Sequence, residues 1–202
     1  MLKFTLIAVI FITFSNANIL KLSKEEIQYI KTLPNYKVIA KRFGNYYKFL
    51  NEAKSYDLNK KLIRTNLDIN KILPRKEETD SWSPPKVFLI NGYGDCEDYV
   101  LAKYFSLIHL GIKKENLFSS VVKVKGSYGL HMVLIHRNID NELMVLDNLS
   151  WKILPLKERE DLSFKYAFNE FGSYRLEDDT LKKESKVLRR KVKVLRKIAR
   201  SN

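Results

Sequence analysis

Cysteine is almost absent from this chain: Cys96 is the only one in 202 residues. One thiol cannot form an internal disulfide, so no cross-linked scaffold holds the fold. Histidine is scarce as well, with His109, His131 and His136 the only three. The sequence has no internal repeats and no low-complexity linker. That excludes solenoids and leaves one domain with two termini as the simplest organisation. The longest apolar run, Phe4 to Phe14, is too short for a membrane span of about 20 residues. Acids are nearly missing from the end of the chain, where Leu181–Asn202 holds ten Lys or Arg against Glu184 alone. That segment carries +9 of the formal +14, so the remainder, at +5, is not a basic nucleic-acid surface.

What is present fits a folded domain. A hydrophobic content of 45% and an aromatic content of 12% separate the chain from disordered sequences. The opening MLKFTLIAVIFITFSNA has a lysine, an apolar centre and a small-residue end, the pattern of a signal peptide. Cleavage is expected after Ala17, giving an exported protein. Residues 1–17 are then the signal peptide, 18–180 the working domain and 181–202 a basic helical tail. The tail spaces Leu188, Val192, Leu195 and Ala199 as a helix does. The simple expectation is a solvated helix with a weak apolar stripe. Weak contact with an anionic membrane surface or an acidic partner is the sharper one. Nucleic acid is not an expected partner outside the cytoplasm.

Local patterns order the elements. Ser23 to Glu26 is a capping box opening a short helix that stops before Pro34. Residues 35–55 and 57–73 read as two more helices. The stretch RKEETDSWSPPK reads as a loop, in which Trp82 needs something to pack against. A helix is expected from Asp95 to Leu110, stopped by Gly111. The period then falls to 2, and LFSSVVKVK, LHMVLIHR and ELMVLDNL read as strands, with a further one in 163–176. Helices, then a cysteine-bearing helix, then an antiparallel sheet make an α+β domain.

Cys96 stands at the first turn of its helix, where unpaired N–H groups and the helix dipole favour a thiolate. A cysteine nucleophile needs a base. His109 is roughly 20 Å along the same helix and on another face, so it cannot reach. His131 and His136 share a strand but face opposite ways. A hairpin loop at Asn138–Asp140 sets His131 opposite Asp147, and a shift of two residues leaves them diagonal neighbours on one face. Asp147 ends an apolar strand, a costly place for a carboxylate without a partner. The expected triad is Cys96 as nucleophile, His131 as base and acid, and Asp147 as the group orienting the imidazole.

GDCEDYVLAKYFSLIHLGI, HMVLIHR, LMVLDNLS and YAFNEFG, with Trp82, Pro85 and Gly92 ahead of them, resemble the bacterial transglutaminase-like cysteine proteinases, and within them the LapG-type periplasmic proteases. The resemblance runs from Trp82 to about Tyr174. One departure is Val87, where the family often carries a glutamate. The resemblance implies a papain-like or transglutaminase-like core with a Cys-His-Asp triad, matching Cys96, His131 and Asp147. It also implies calcium held by carboxylates beside the cysteine, matching Asp95 and Glu97, with Asp98 as a further ligand. Hard cations favour such oxygen donors, and a divalent ion would offset the charge these acids impose on a thiolate. The function implied is periplasmic cleavage of the N-terminal region of a large surface adhesin at a small-residue site, dispersing a biofilm. A membrane receptor sensing cyclic di-GMP would sequester the protease. Two rivals are an acyltransferase of transglutaminase type, which shares the thioester chemistry, and a non-catalytic binding module.

Overall fold

The computed structural model describes residues 19–75, 82–184 and 189–200. The expected signal peptide and Leu188 lie outside these residues. The first helix, α1 (Lys24–Thr32), opens on the expected capping box, with Ser23 and Glu26 each accepting the other's backbone N–H. Then come α2 (Tyr36–Ala53) and α3 (Leu58–Ile69), the latter ending four residues short of the expected Leu73. The chain instead turns into a two-residue strand, β1 (Leu73–Pro74).

The SPPK stretch is a correction: Pro85 begins a short helix, α4 (Pro85–Asn91), rather than a loop. Proline at the first helical position loses no hydrogen bond and has its φ already set. Gly92, at φ 75°, then ends α4 in the left-handed conformation, which a side chain would oppose. Strand β2 (Tyr93–Gly94) pairs in parallel with β1 and delivers the chain to α5 (Cys96–His109).

The second half is one antiparallel sheet. Its strands are β3 (Leu117–Val124), β4 (His131–Arg137), β5 (Leu143–Leu146), β6 (Leu154–Pro155), β7 (Leu162–Asn169), β8 (Gly172–Glu177) and β9 (Thr180–Lys183). Their spatial order is β6-β5-β4-β3-β7-β8-β9. Expected as one strand, 163–176 is a hairpin, β7 turning at Glu170–Phe171 into β8. Alternation splits the buried residues of the sheet between two cores. Leu117, Val121, Met132 and Leu134 join the core that includes the helices, while Phe118, Val122, Val133 and Ile135 build a second one on the other face.

The tail departs from expectation at both its ends. Strand β9 takes in Leu181 to Lys183 and pairs with β8, so the sheet crosses the expected boundary at 180. The helix that follows, α6 (Arg189–Arg200), is docked rather than solvated. Val192, Leu195 and Ile198 are buried in the core shared with the other helices. Val192 and Leu195 of the expected stripe face inward, while Arg190, Lys193, Arg196, Lys197 and Arg200 are exposed.

Candidate active site

Cys96 is the first residue of α5, and two acids build that helix start. Asp95 is the N-cap, and it forms a reciprocal capping box with Asp98. Asp98 is buried, and its other carboxylate oxygen accepts the Ser83 N–H at 2.7 Å. Asp98 therefore ties the loop carrying Trp82 to the cysteine helix. Trp82 itself stacks on Phe168, with ring centroids 5.8 Å apart, and Lys191 of α6 lies over its ring. A Cβ on Gly94 would meet the Asp98 carboxylate at 2.5 Å, so only glycine leaves room for this arrangement.

The thiol is half buried between two opposing influences. Cys96 Sγ donates to Glu97 Oε2 at 2.9 Å. Burial above all, then the charge and hydrogen bond of Glu97, push the Cys96 thiol well above its ordinary range, and the Asp95 charge adds to this. The backbone N–H of Met132 pulls the other way, and that amide is the next residue after His131. Strand β5 ends opposite Leu134, so the first residues of β4 overhang it and meet the start of α5 instead.

The His131–Asp147 pair forms, but not through the simplest register. The loop runs from Asn138 to Glu142, with Arg137 paired to Leu143. Asn138 closes it by accepting the N–H groups of Asp140 and Glu142 on its side chain, while Asn141 takes a positive φ. The shift of two residues makes His131 and Asp147 diagonal neighbours. Asp147 leaves β5 through a turn in which its Oδ1 accepts the Leu149 N–H, and the same oxygen meets His131 Nε2 at 2.8 Å. That leaves Nδ1 as the nitrogen available for proton exchange. His109 and His136 stay apart from this pair; burial chiefly lowers the pKa of each.

Asp147 has 0% exposure, the setting in which a carboxylate must be matched. Burial raises its pKa, but the His131 hydrogen bond and charge, the Leu149 N–H and Arg159 outweigh that and hold it at about 2. Arg159 Nη2 reaches Asp147 Oδ2 at 2.9 Å. Sequence reading missed this arginine, which follows a polar run and looks there like any surface charge. It also missed a buried tether. Lys103, two turns along α5 from Cys96, donates to Asn66 of α3 at 2.8 Å. Asn66 and Asn70 donate in turn to the carbonyls of Asp147, Ser150 and Trp151. The loop after β5 is thus fastened to the helices.

The three acids expected to hold calcium, Asp95, Glu97 and Asp98, all stand at the start of α5. Among the described residues no three His, Cys, Asp or Glu side chains come together in a metal-holding group. Asp98 Oδ1 accepts the Ser83 N–H and its Oδ2 the Asp95 N–H, each oxygen keeping a further lone pair. Asp95 and Glu97 are the oxygen donors next to the thiol in sequence, with Asp98 one residue further on.

A cysteine at a helix start, packed against a sheet that carries a hydrogen-bonded His–Asp pair, is the layout of a transglutaminase-like cysteine protease. The chain belongs to the bacterial transglutaminase-like cysteine proteinase (BTLCP) family, whose model matches residues 47–171. Among solved structures, it is similar to calcium-bound Legionella pneumophila LapG, at 28% identity and a TM-score of 0.71 over 87% of this chain and 98% of that one. The EGTA-treated form of Legionella pneumophila LapG is similar at 26% identity and the same TM-score, over 88% and 98%. No curated protein matches the chain.

Proposed function

We propose that this protein is an exported, calcium-dependent cysteine endopeptidase acting through Cys96, His131 and Asp147. The observation that carries the reading is the 2.8 Å contact between His131 and the fully buried Asp147, on the strand end that meets the cysteine at the start of α5. In this scheme His131 takes the thiol proton through Nδ1, and Asp147 holds the ring and balances the imidazolium. The thiolate attacks the scissile carbonyl, and His131 returns the proton to the leaving amine. Water then hydrolyses the thioester.

As the side chains stand, Glu97 opposes the first step by holding the thiol hydrogen. Calcium held by Asp95 and Glu97 would supply positive charge where these acids are and favour the thiolate. The fit rests on the donor type and on the Glu97 carboxylate lying against the thiol. The calcium-bound form of a similar protein supports the choice of ion.

The proposed substrate is the N-terminal region of a large surface adhesin, cut at a small-residue site in the periplasm to release the cell from a biofilm. A receptor sensing cyclic di-GMP in the inner membrane is the proposed regulator. Export rests on the leader-like residues 1–17, and Ile19 and Leu20 just beyond them are core residues. The test is incubation of the purified chain with calcium and an N-terminal adhesin fragment. Two shorter polypeptides are expected, and none with Cys96→Ala. Equal cleavage by the Cys96→Ala protein would end the reading.

A further inference from the structure

Arg159 does not stop at Asp147. The Nη2 that meets Asp147 Oδ2 also meets Asp161 Oδ2 at 2.7 Å, and Nε meets Asp161 Oδ1 at 2.7 Å. The guanidinium therefore bridges a fully buried carboxylate and one that is 49% exposed, while being 7% exposed itself. Local structure sets it there. Pairing of β6 with β5 brings the chain back beside Asp147, and a 3-10 turn at Leu156–Glu158 follows. Arg159 then caps that turn through its N–H to Leu156 and accepts the Leu162 N–H at the start of β7.

This geometry has a chemical consequence. An imidazolium at His131 needs an anion at Asp147, yet an unopposed arginine on the other oxygen would draw that charge away from the histidine. Asp161 opposes it. Two charge-assisted bonds to one guanidinium face hold the arginine firmly and leave its net charge close to cancelled. Arg159 Nη1 is buried and meets no acceptor among the described residues. A buried unmatched donor costs stability, so filling space is a poor account of the residue.

We propose that Arg159 and Asp161 are positioning residues extending the His131–Asp147 pair into a four-member charge chain. Arg159 locks the carboxylate rotamer, and Asp161 cancels the arginine so that Asp147 still serves the histidine. The proposal rests on the protease reading for its purpose, but its electrostatics stand on the contacts alone. Asp147 meets the histidine directly, with Arg159 and then Asp161 behind it on the sheet side, while from α5 Lys103 acts on Asp147 and Cys96, beside Glu97, meets the Met132 backbone next to His131.

The test is NMR titration of the His131 ring in the full chain carrying Cys96→Ala, which removes coupling to the thiol. Asp161→Asn leaves Arg159 uncompensated and should lower the His131 midpoint by about half a pH unit, the scale of one partly screened charge at this range. Arg159→Met should raise it, Arg159→Lys should bring it most of the way back, and the double variant should lie near the parent. A residue with only a structural role would not move the midpoint in opposite directions for the two sites. An unchanged midpoint in Asp161→Asn, in a protein with its other resonances intact, would overturn the proposal. That variant decides the matter even where Arg159→Met does not fold. The titration needs no turnover: shifted midpoints together with no cleavage by the parent chain, which keeps Cys96, would sink the protease reading alone, and cleavage by that parent with no shift in the titrated variants would sink the charge chain alone.

Discussion

His131 and Asp147 meet at 2.8 Å from diagonal positions, the histidine on the overhanging start of β4 and the aspartate one residue past the end of β5. A carboxylate placed there can serve the ring only while its own charge stays in place. Asp147→Asn should keep the fold and lower kcat by about 10³-fold or more, with KM changed little. His131→Ala and Cys96→Ala should be inactive, while His109→Ala should cleave at the parent rate. Cleavage assays on the four proteins check this, and a fully active Asp147→Asn would remove the aspartate from the mechanism.

Acid should act through the same carboxylate. Asp147 is held at about 2, below the ordinary 3.8. Its contribution to stability is therefore complete above pH 3.8 and is lost as pH falls from there toward 2. The magnitude is about 2 kcal/mol. Denaturation curves between pH 5 and 2 should fall less steeply for Asp147→Asn than for the parent.

Lys103 should act with the opposite slope. Burial drives its amine from 10.5 down to about 7, against the pull of Asp147. The unfolded chain then binds the extra proton between these values, so stability from this group rises with pH from about 7 upward. The window closes near 10, where Tyr46, Tyr99 and Tyr104, whose pKa values are raised chiefly by burial, begin to count the other way. Urea denaturation at pH 7 and pH 9 should show the rise in the parent and lose it in Lys103→Met. An identical rise in the variant would mean the amine is not perturbed.

Chelation tests the proposed ion. A calcium-selective chelator should abolish cleavage, calcium should restore it, and magnesium, with its tighter octahedral shell, should not. Calcium should also raise the melting temperature of the parent but not of Glu97→Gln. Full activity under chelation would confine Asp95 and Glu97 to electrostatics at the helix start.

Truncating the inner face of α6 tests whether the basic tail belongs to the domain. Leu195 has 0% exposure in the shared core, and Leu195→Ala should cost about 2–4 kcal/mol. Lys193→Ala, on the outer face, should cost almost nothing. Equal stability of the two variants would return the tail to solvent.

Adding an excess of a labelled primary amine to the cleavage reaction separates hydrolysis from acyl transfer. Two unlabelled fragments are expected. Dominant incorporation of label would move the assignment to a transferase.

Local chemistry was enough to read the elements that depend on it. The capping box at Ser23, the glycine stop at Gly111 and the alternating strands all follow from short-range preferences, which act over a few residues. The placing of Cys96 at a helix start, of His131 on a strand and of Asp147 at the end of the neighbouring one followed from the same rules. Helix α4 was missed because a proline pair reads equally as a loop or as a helix start until the chain beyond it packs. The register of β4 on β5 depended on how Asn138 closes its loop. Arg159, Lys103 and Asn66 were illegible for a deeper reason: a buried ion and a surface ion have the same sequence, and only the partner, 12 residues away for Arg159 and 37 for Lys103, tells them apart. The inner face of α6 was decided the same way. Its stripe is visible in the sequence, but whether it meets water or a core depends on the sheet and helices assembled before it.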